Sequence, residues 1–196
     1  YYRVDSLFSI ENVIAKRTSF DYGHTNLALH WNHYFSEKLN MMLSATSTYY
    51  KTKTYAPDTV NTIDLNSFIK YKNLSASFDF QPNDKHKMNF GATITRYDID
   101  PGSLNIGVVS RVATVKIQDE QSMEAAIYAD DEFKWSEKFT IQYGLRYSHY
   151  WRIGAGVVNE YAPGQMPSLN SIVSKKTYAD GEVMTSYGGF EPRVTM

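Results

Sequence analysis

Residues 138–151, KFTIQYGLRYSHYW, alternate almost without a slip. Phe139, Ile141, Tyr143, Leu145, Tyr147 and Trp151 share one side of an extended chain, and Thr140, Gln142, Gly144, Arg146, Ser148 and Tyr150 the other. Side chains change sides at every residue in a β-strand, so this segment is a strand of unusual length. The same period recurs. In 24–35, Leu27, Leu29, Trp31 and Phe35 oppose Asn26, His30 and Asn32; in 39–50, Leu39, Met41, Leu43, Ala45 and Tyr49 oppose Asn40, Ser44, Thr46 and Thr48. Leu74, Ala76, Phe78 and Phe80 stand against Ser75, Ser77, Asp79 and Gln81, and Met88, Phe90, Ala92 and Ile94 against Asn89, Gly91, Thr93 and Thr95. Met123, Ala125, Ile127, Ala129 and Phe133 face away from Glu124, Ala126, Tyr128, Asp130 and Glu132. Two more strands are expected, over about Val183–Phe190 and from Val194 onward. No segment of useful length carries a helical period.

The connections order these strands. Short polar turns are expected near 36–38, 83–85, 136–138 and 191–193, and long connections rich in Gly, Pro, Asp, Asn and Ser near 51–66, 98–121 and 153–182. Short and long connections alternate strictly, so in an up-and-down meander the turns share one rim and the long loops the other. A propeller also repeats at this interval but needs four short strands per blade; here there are two long ones, and no blade signature. Strands of ~9–11 residues, tilted, cross a bilayer. Over Phe139–Trp151, steps of ~3.4 Å tilted by ~40° rise roughly 30 Å, slightly more than the ~25 Å apolar band of a membrane barrel.

Composition fits such a barrel. The net charge is −1, without the basic patch that nucleic acid requires. The chain has no cysteine, which removes disulfides, zinc–thiolate sites and cysteine nucleophiles. Its 16 tyrosines, with 10 Phe and 3 Trp, suit strands and interfaces wet at one end and dry at the other. No run reaches the ~18 apolar residues of a membrane helix, and no signal peptide is visible. The expected fold class is therefore all-β: an antiparallel up-and-down transmembrane β-barrel, here a partial wall of about seven or eight strands. Leu29, Leu43, Ile94, Ile127 and Leu145 would face lipid, and Asn32, Ser44, Thr93, Tyr128 and Arg146 the lumen. In a soluble all-β carbohydrate-binding module, the apolar faces would instead form a core.

EAAIYADDEFKWSEKFTIQYGLRYSHY (124–150) and GGFEPRVTM (188–196) resemble TonB-dependent outer-membrane receptors, especially those of Bacteroidetes. The first matches a strand ending in an acidic-aromatic rim that returns through a YGLRY-like strand; the second matches an EPR turn. The resemblance implies a Gram-negative outer-membrane location with the long loops extracellular, and a barrel of about 22 strands around a plug. Residues 1–196 are then expected to be a segment of that one barrel domain, with no plug domain and no TonB-interacting segment in this chain. Implied partners are outer-membrane lipid, the rest of the barrel and its plug, TonB through a part not present here, a surface lipoprotein, and a small-molecule or glycan ligand. The implied activity is active import of a scarce nutrient: a siderophore, haem, cobalamin, peptide or glycan. A passive porin is the alternative within the membrane class.

No catalytic residue, cofactor or metal site is expected. There is no nucleophile elbow and no repeated Glu-x-x-His spacing. His24 and His30 share a strand face but lie ~20 Å apart. The acidic run Asp130-Asp131-Glu132 splits across two faces and is expected to be a solvated rim. Tyr55, Trp151 and Tyr161, in or beside the long loops, are candidate ligand contacts, able to stack on a ligand or to serve as girdle. Glu124 and Arg146 are expected to form a lumen-facing ion pair. Pairing Phe133 with Phe139 would set Ala126 opposite Arg146 and Glu124 on its diagonal.

Overall fold

The computed structural model describes residues 18–57, 63–106 and 115–196. They form β1 (Ser19–Ser36), β2 (Leu39–Ala56), β3 (Ile63–Asn83), β4 (His86–Ile106), β5 (Val115–Lys116), β6 (Glu120–Ser136), β7 (Phe139–Tyr161) and β8 (Ile172–Thr195), with one 3-10 turn at Leu169–Ser171. All the strands lie in one antiparallel sheet in the order β1-β2-β3-β4-β6-β7-β8, and the two-residue β5 pairs with β4. The long strands thus run up and down in chain order, and the wall is open at β1 and β8.

Local chemistry makes the three tight turns, Glu37-Lys38, Asp84-Lys85 and Glu137-Lys138. The residue before each offers a side-chain oxygen to the backbone beyond it. Ser36 Oγ accepts the Lys38 and Leu39 N–H groups at 3.2 Å each. Asn83 Oδ1 accepts those of Lys85 and His86 at 2.9 and 3.2 Å, and Ser136 Oγ accepts that of Lys138 at 3.3 Å. Such short side chains compete for backbone donors and favour turns over continued strand. A register shift accompanies each turn, at Tyr34/Ser36, Phe80/Asn83 and Lys134/Ser136.

The register carries each face across the whole wall. Trp31, Leu43, Ala76, Ala92, Ile127, Tyr147 and Phe190 stand side by side on one face; Asn32, Met42, Ser77, Gly91, Tyr128, Arg146 and Glu191 form a row on the other. Directly opposed rings pin this register: Phe78 and Phe90 stack with centroids 5.2 Å apart, and Tyr147 meets Phe190 at 5.0 Å. Exposure runs opposite to that of a soluble fold. Ile127 is 63 % exposed and Phe190 70 %, whereas Thr95 on the polar face is 7 % exposed. Among the described residues no second layer covers the apolar face, which a soluble sandwich would bury.

Three expectations need correction. Glu191-Pro192-Arg193 is not a turn: β8 runs through it, with Pro192 opposite Leu145. Proline is tolerated there because β8 is an edge of this sheet, where one side of the strand needs no donor. The long connections are shorter than expected, because β2, β3, β4, β7 and β8 extend well beyond the alternating stretches. Hydrogen bonding continues in these extensions although hydrophobic alternation has stopped. The expected loop centre at 109 lies outside the described residues. Finally, the turn at 137–138 is tighter than assumed. Phe133 pairs with Ile141, and Tyr128, not Ala126, lies opposite Arg146.

Gly91 shows how closely the polar face is packed. A Cβ there would overlap the Ala76 carbonyl oxygen and stand 2.7 Å from the Tyr128 hydroxyl, which lies over the glycine. Gly91→Val is expected to destabilise the barrel by about 1–3 kcal/mol, the range of overpacking. Chemical denaturation of the full-length protein in bilayers checks this. Adding Tyr128→Ala should not restore stability, since the backbone overlap remains.

Candidate functional site

The densest polar constellation sits where β6, β7 and β8 run together. Strand alternation points Glu124, Arg146, Ser148, Glu191 and Arg193 to the same face. The Arg146 side chain lies along its own strand, with Nε donating to Ser148 Oγ at 2.9 Å. That direction carries Nη2 to Glu124 Oε1 at 3.4 Å, although Glu124 is paired with Tyr150 in the ladder. Ser148 Oγ in turn donates to Glu191 Oε1 at 2.6 Å, and Arg146 Nε lies 3.8 Å from the same oxygen. Arg193 closes the chain, with Nη2 3.5 Å from Glu191 Oε2. One guanidinium thus bridges two carboxylates on the strands either side of it. All of these groups are at least partly exposed, so water screens the cluster and its role is to orient charge more than to stabilise.

Glycines hollow the wall beside this cluster. Below it, toward the turns, a cavity of about 390 Å³ opens over Gly144, lined by Tyr128, Asp130, Gln142 and Arg193. A Cβ at Gly144 would stand 2.7 Å from Asp130 Cβ. Above it, a cavity of about 400 Å³ lies over Gly189, bounded by Glu124, Ser148 and the Tyr150–Tyr187 pair, whose ring centroids are 5.0 Å apart. Two concave sites therefore share Glu191 as their common wall. They offer carboxylates, guanidinium groups, phenol hydroxyls and ring faces, which suits recognition of a polar surface or ligand. Among the described residues, no group of three or more His, Asp or Glu side chains could hold a metal ion.

Polar chains extend along the same face. Asn73 Nδ2 donates to Thr93 Oγ1 and Thr95 Oγ1 at 2.8 and 2.9 Å, and Asn89 Nδ2 to Ser77 Oγ and Asp79 Oδ1 at 3.0 and 2.8 Å. The acidic run behaves differently from expectation. Asp130 and Glu132 do lie on the polar face, but Asp131 is on the apolar face and only 5 % exposed. It is no solvated rim residue: the Tyr143 hydroxyl donates to Oδ2 at 2.8 Å, and His86 Nδ1 lies 2.7 Å from the same oxygen. Partners on both neighbouring strands thus meet at one oxygen, Oδ2, while Oδ1 is buried with no hydrogen-bond partner among the described residues.

The three aromatic candidates are not brought together. Tyr55 lies near the outer end of β2, 37 % exposed, with Lys53 Nζ 5.6 Å from its ring. Between it and β7 stand β3, β4 and β6, a separation of ~19 Å at ~4.8 Å per strand. Trp151 is on the apolar face against His149, with ring centroids 4.3 Å apart. Tyr161 ends β7, ~33 Å along the strand from Trp151. Sequence reasoning missed Ser148, Glu191 and Arg193 as site residues. The signal was present: Phe190, Pro192 and Val194 alternate with Glu191, Arg193 and Thr195, the same period that marks the other strands.

A family model described as TonB dependent receptor-like, beta-barrel matches residues 2–193, nearly the whole chain. No curated protein and no solved structure matches it.

The register and the reach of Arg146 predict a measurable but small coupling. A double-mutant cycle with Glu124→Gln and Arg146→Gln, read by denaturation of the full-length barrel, should give about 0.2–1 kcal/mol, as for an exposed cross-strand ion pair. A coupling of zero would mean that the two groups do not act together.

Proposed function

This chain belongs to the TonB-dependent receptor-like β-barrel family, and we propose from that premise that it forms part of the wall of an outer-membrane transporter that actively imports a scarce nutrient. Membership implies an outer-membrane receptor or transport role, and a barrel that works with a plug and with TonB. The observation that supports this chain as membrane wall is its single sheet, with exposed leucine, isoleucine and aromatic side chains on one face and hydrogen-bonded polar chains on the other. In this reading the apolar face meets lipid and the polar face lines the lumen. On the lipid side at mid-depth Arg146 would cost ~2–4 kcal/mol; on the lumen side it finds Glu124, Ser148 and Glu191 within reach.

The remaining strands of the barrel would pair with the open edges at β1 and β8, since unpaired edges are not tolerated in hydrocarbon. The cluster around Arg146 and its two glycine-floored cavities would face the plug or a passing ligand. In this reading Tyr55 and Tyr161, near the strand ends away from the tight turns, would stack on an incoming siderophore, haem, cobalamin, peptide or glycan. Trp151 then belongs to the outer aromatic girdle. A surface lipoprotein could close over the long loops, as the resemblance to Bacteroidetes receptors implies. A passive porin shares the same wall and differs only in needing no energy.

Two measurements test this. Cysteines introduced singly in the full-length protein at Pro167 and at Glu137 should label differently with an impermeant thiol reagent on intact cells, the first reacting and the second not. The reverse would overturn the orientation. Cells with and without the gene should then be grown with iron–siderophore, haem, cobalamin, oligopeptide or glycan as the limiting nutrient. Gene-dependent uptake that collapses on adding a protonophore supports the transporter; gene-dependent uptake that survives it supports the porin.

A further inference from the structure

The hollow above the Arg146 cluster is open at its floor. A Cβ added at Gly189 would meet nothing within 4 Å. About 400 Å³ stands free there, between Glu124, Ser148, Glu191 and the rings of Tyr150 and Tyr187. The ladder explains the assembly. Thr95, Glu124, Tyr150 and Tyr187 stand side by side on the polar face, one each from β4, β6, β7 and β8. The two rings lie 5.0 Å apart with 32° between their planes, and make one apolar wall in a face that is otherwise polar. Tyr187 is 67 % exposed, so ring surface is left for a ligand to cover.

The charges around this hollow are already matched. Arg146 Nη2 lies 3.4 Å from Glu124 Oε1, Arg193 Nη2 3.5 Å from Glu191 Oε2, and Arg152 Nη2 3.0 Å from Glu120 Oε1. Each arginine that β7 and β8 turn to this face therefore holds a carboxylate, and a haem propionate or an anionic siderophore finds none to spare. A cation fares no better, because both carboxylates of the hollow face a guanidinium and Glu191 Oε1 also accepts from Ser148 Oγ at 2.6 Å. What remains is uncharged hydrogen bonding in fixed directions. Arg146 orients the Glu124 carboxylate through Oε1, while Oε2 meets no donor among the described residues. The two phenol hydroxyls both donate and accept.

A neutral, hydroxyl-rich ring matches that lining. A pyranose has a C–H face that packs on an aromatic ring, and a rim of hydroxyls that donate and accept. Tyr150 and Tyr187 supply the wall, Glu124 the acceptor for the rim, and the bare floor at Gly189 the room. A peptide gains most by pairing its backbone along an open strand edge, and β6 and β7 are paired on both sides. The aromatic surface continues beyond the hollow. Tyr71 stands directly opposite Tyr97, with ring centroids 5.4 Å apart and edge to face. Tyr97 lies two strands from Tyr150 and two residues further from the tight turns, a separation of roughly 12 Å that a short oligosaccharide covers.

We propose that the hollow over Gly189 is a subsite for one pyranose of a neutral oligosaccharide, stacked on the Tyr150–Tyr187 wall with its hydroxyls on Glu124, and that Tyr97 with Tyr71 takes a neighbouring sugar of the same chain. The proposal rests on the reading that the polar face lines the lumen of a transporter, and among the nutrient classes it selects a glycan.

The test is calorimetric titration of the full-length protein in non-ionic detergent. The probes are maltotetraose, cellotetraose and mannotetraose, with tetragalacturonate as the anionic comparison. At least one neutral tetrasaccharide should bind, and at least tenfold more tightly than tetragalacturonate. Tyr150→Ala/Tyr187→Ala should weaken that binding at least tenfold, while Tyr150→Phe/Tyr187→Phe, which keeps the rings, retains most of it. Gly189→Leu fills the hollow without touching its neighbours and should weaken binding as strongly as the double alanine variant. Tyr97→Ala should weaken the tetrasaccharide more than the disaccharide of the same sugar. Tyr34→Ala, an exposed tyrosine on the same face near the tight turns, should leave binding unchanged. Heat-modifiable migration on gels confirms that each variant is folded. Binding of no neutral tetrasaccharide, tighter binding of tetragalacturonate, or undiminished binding in Gly189→Leu would overturn the subsite. Protonophore-sensitive, gene-dependent uptake of another nutrient class would then leave the transporter standing. Tetrasaccharide binding together with uptake that survives the protonophore would support the subsite and overturn active import.

Discussion

Everything in this wall depends on the backbone's need for hydrogen-bond partners. Inside a hydrocarbon layer an unpaired N–H or C=O costs several kcal/mol, so a chain crosses only as helix or as laterally paired strands. No helix of the described residues is long and apolar enough to cross. The seven long strands instead pair in an unbroken succession from β1 to β8. Once pairing fixes the strands, alternation assigns every side chain to one of two surfaces. No second layer is needed, because lipid can do for the apolar face what a core does in a soluble protein. On the described wall Ile127 and Phe190 are exposed, while Ser44, Thr95 and Ser122 on the polar face are buried.

Wherever the apolar layer imposes alternation, the strands were legible in the sequence. Leu27, Leu29 and Trp31 placed β1, and Phe139 to Trp151 placed β7, because one residue of slip would turn each apolar set to the wrong face. Legibility ended where that pressure ended. Residues 52–56 and 98–104 continue their ladders without apolar alternation, so their polar sequence, with Pro101 and Gly102 in the second, looked like loop. Pro192 misled for a related reason, since a proline on a locally unpaired strand edge reads as a turn. The tight turn at Glu137-Lys138 could not be told from a wider one without geometry, so the register shifted by two residues. The shared face of Glu124 and Arg146 survived that shift because the alternation did. Their contact survived because the arginine is long and lies along its own strand.

The site itself was only partly readable. Pairwise charges can be placed on a face by counting, but the bridge from Arg146 through Ser148 to Glu191 depends on which strand lies beside β7. The hollow below it depends on Gly144, whose missing side chain matters only against a particular neighbour, Asp130. Asp131 shows the converse. Its position by alternation was right, yet its burial follows from two partners on different strands, His86 and Tyr143, that no local pattern announces.

The central claim is that adjacent residues of β7 face two different media. Spin labels placed one at a time at positions 143 to 148 of the full-length barrel, reconstituted in bilayers, test it most directly through collision with oxygen and with a water-soluble nickel chelate. Labels at 143, 145 and 147 should be relaxed mainly by oxygen, which concentrates in lipid, and those at 144, 146 and 148 mainly by the chelate or by neither reagent. An alternation of the opposite phase, with position 146 in lipid and position 145 shielded, or no alternation at all, would contradict the account.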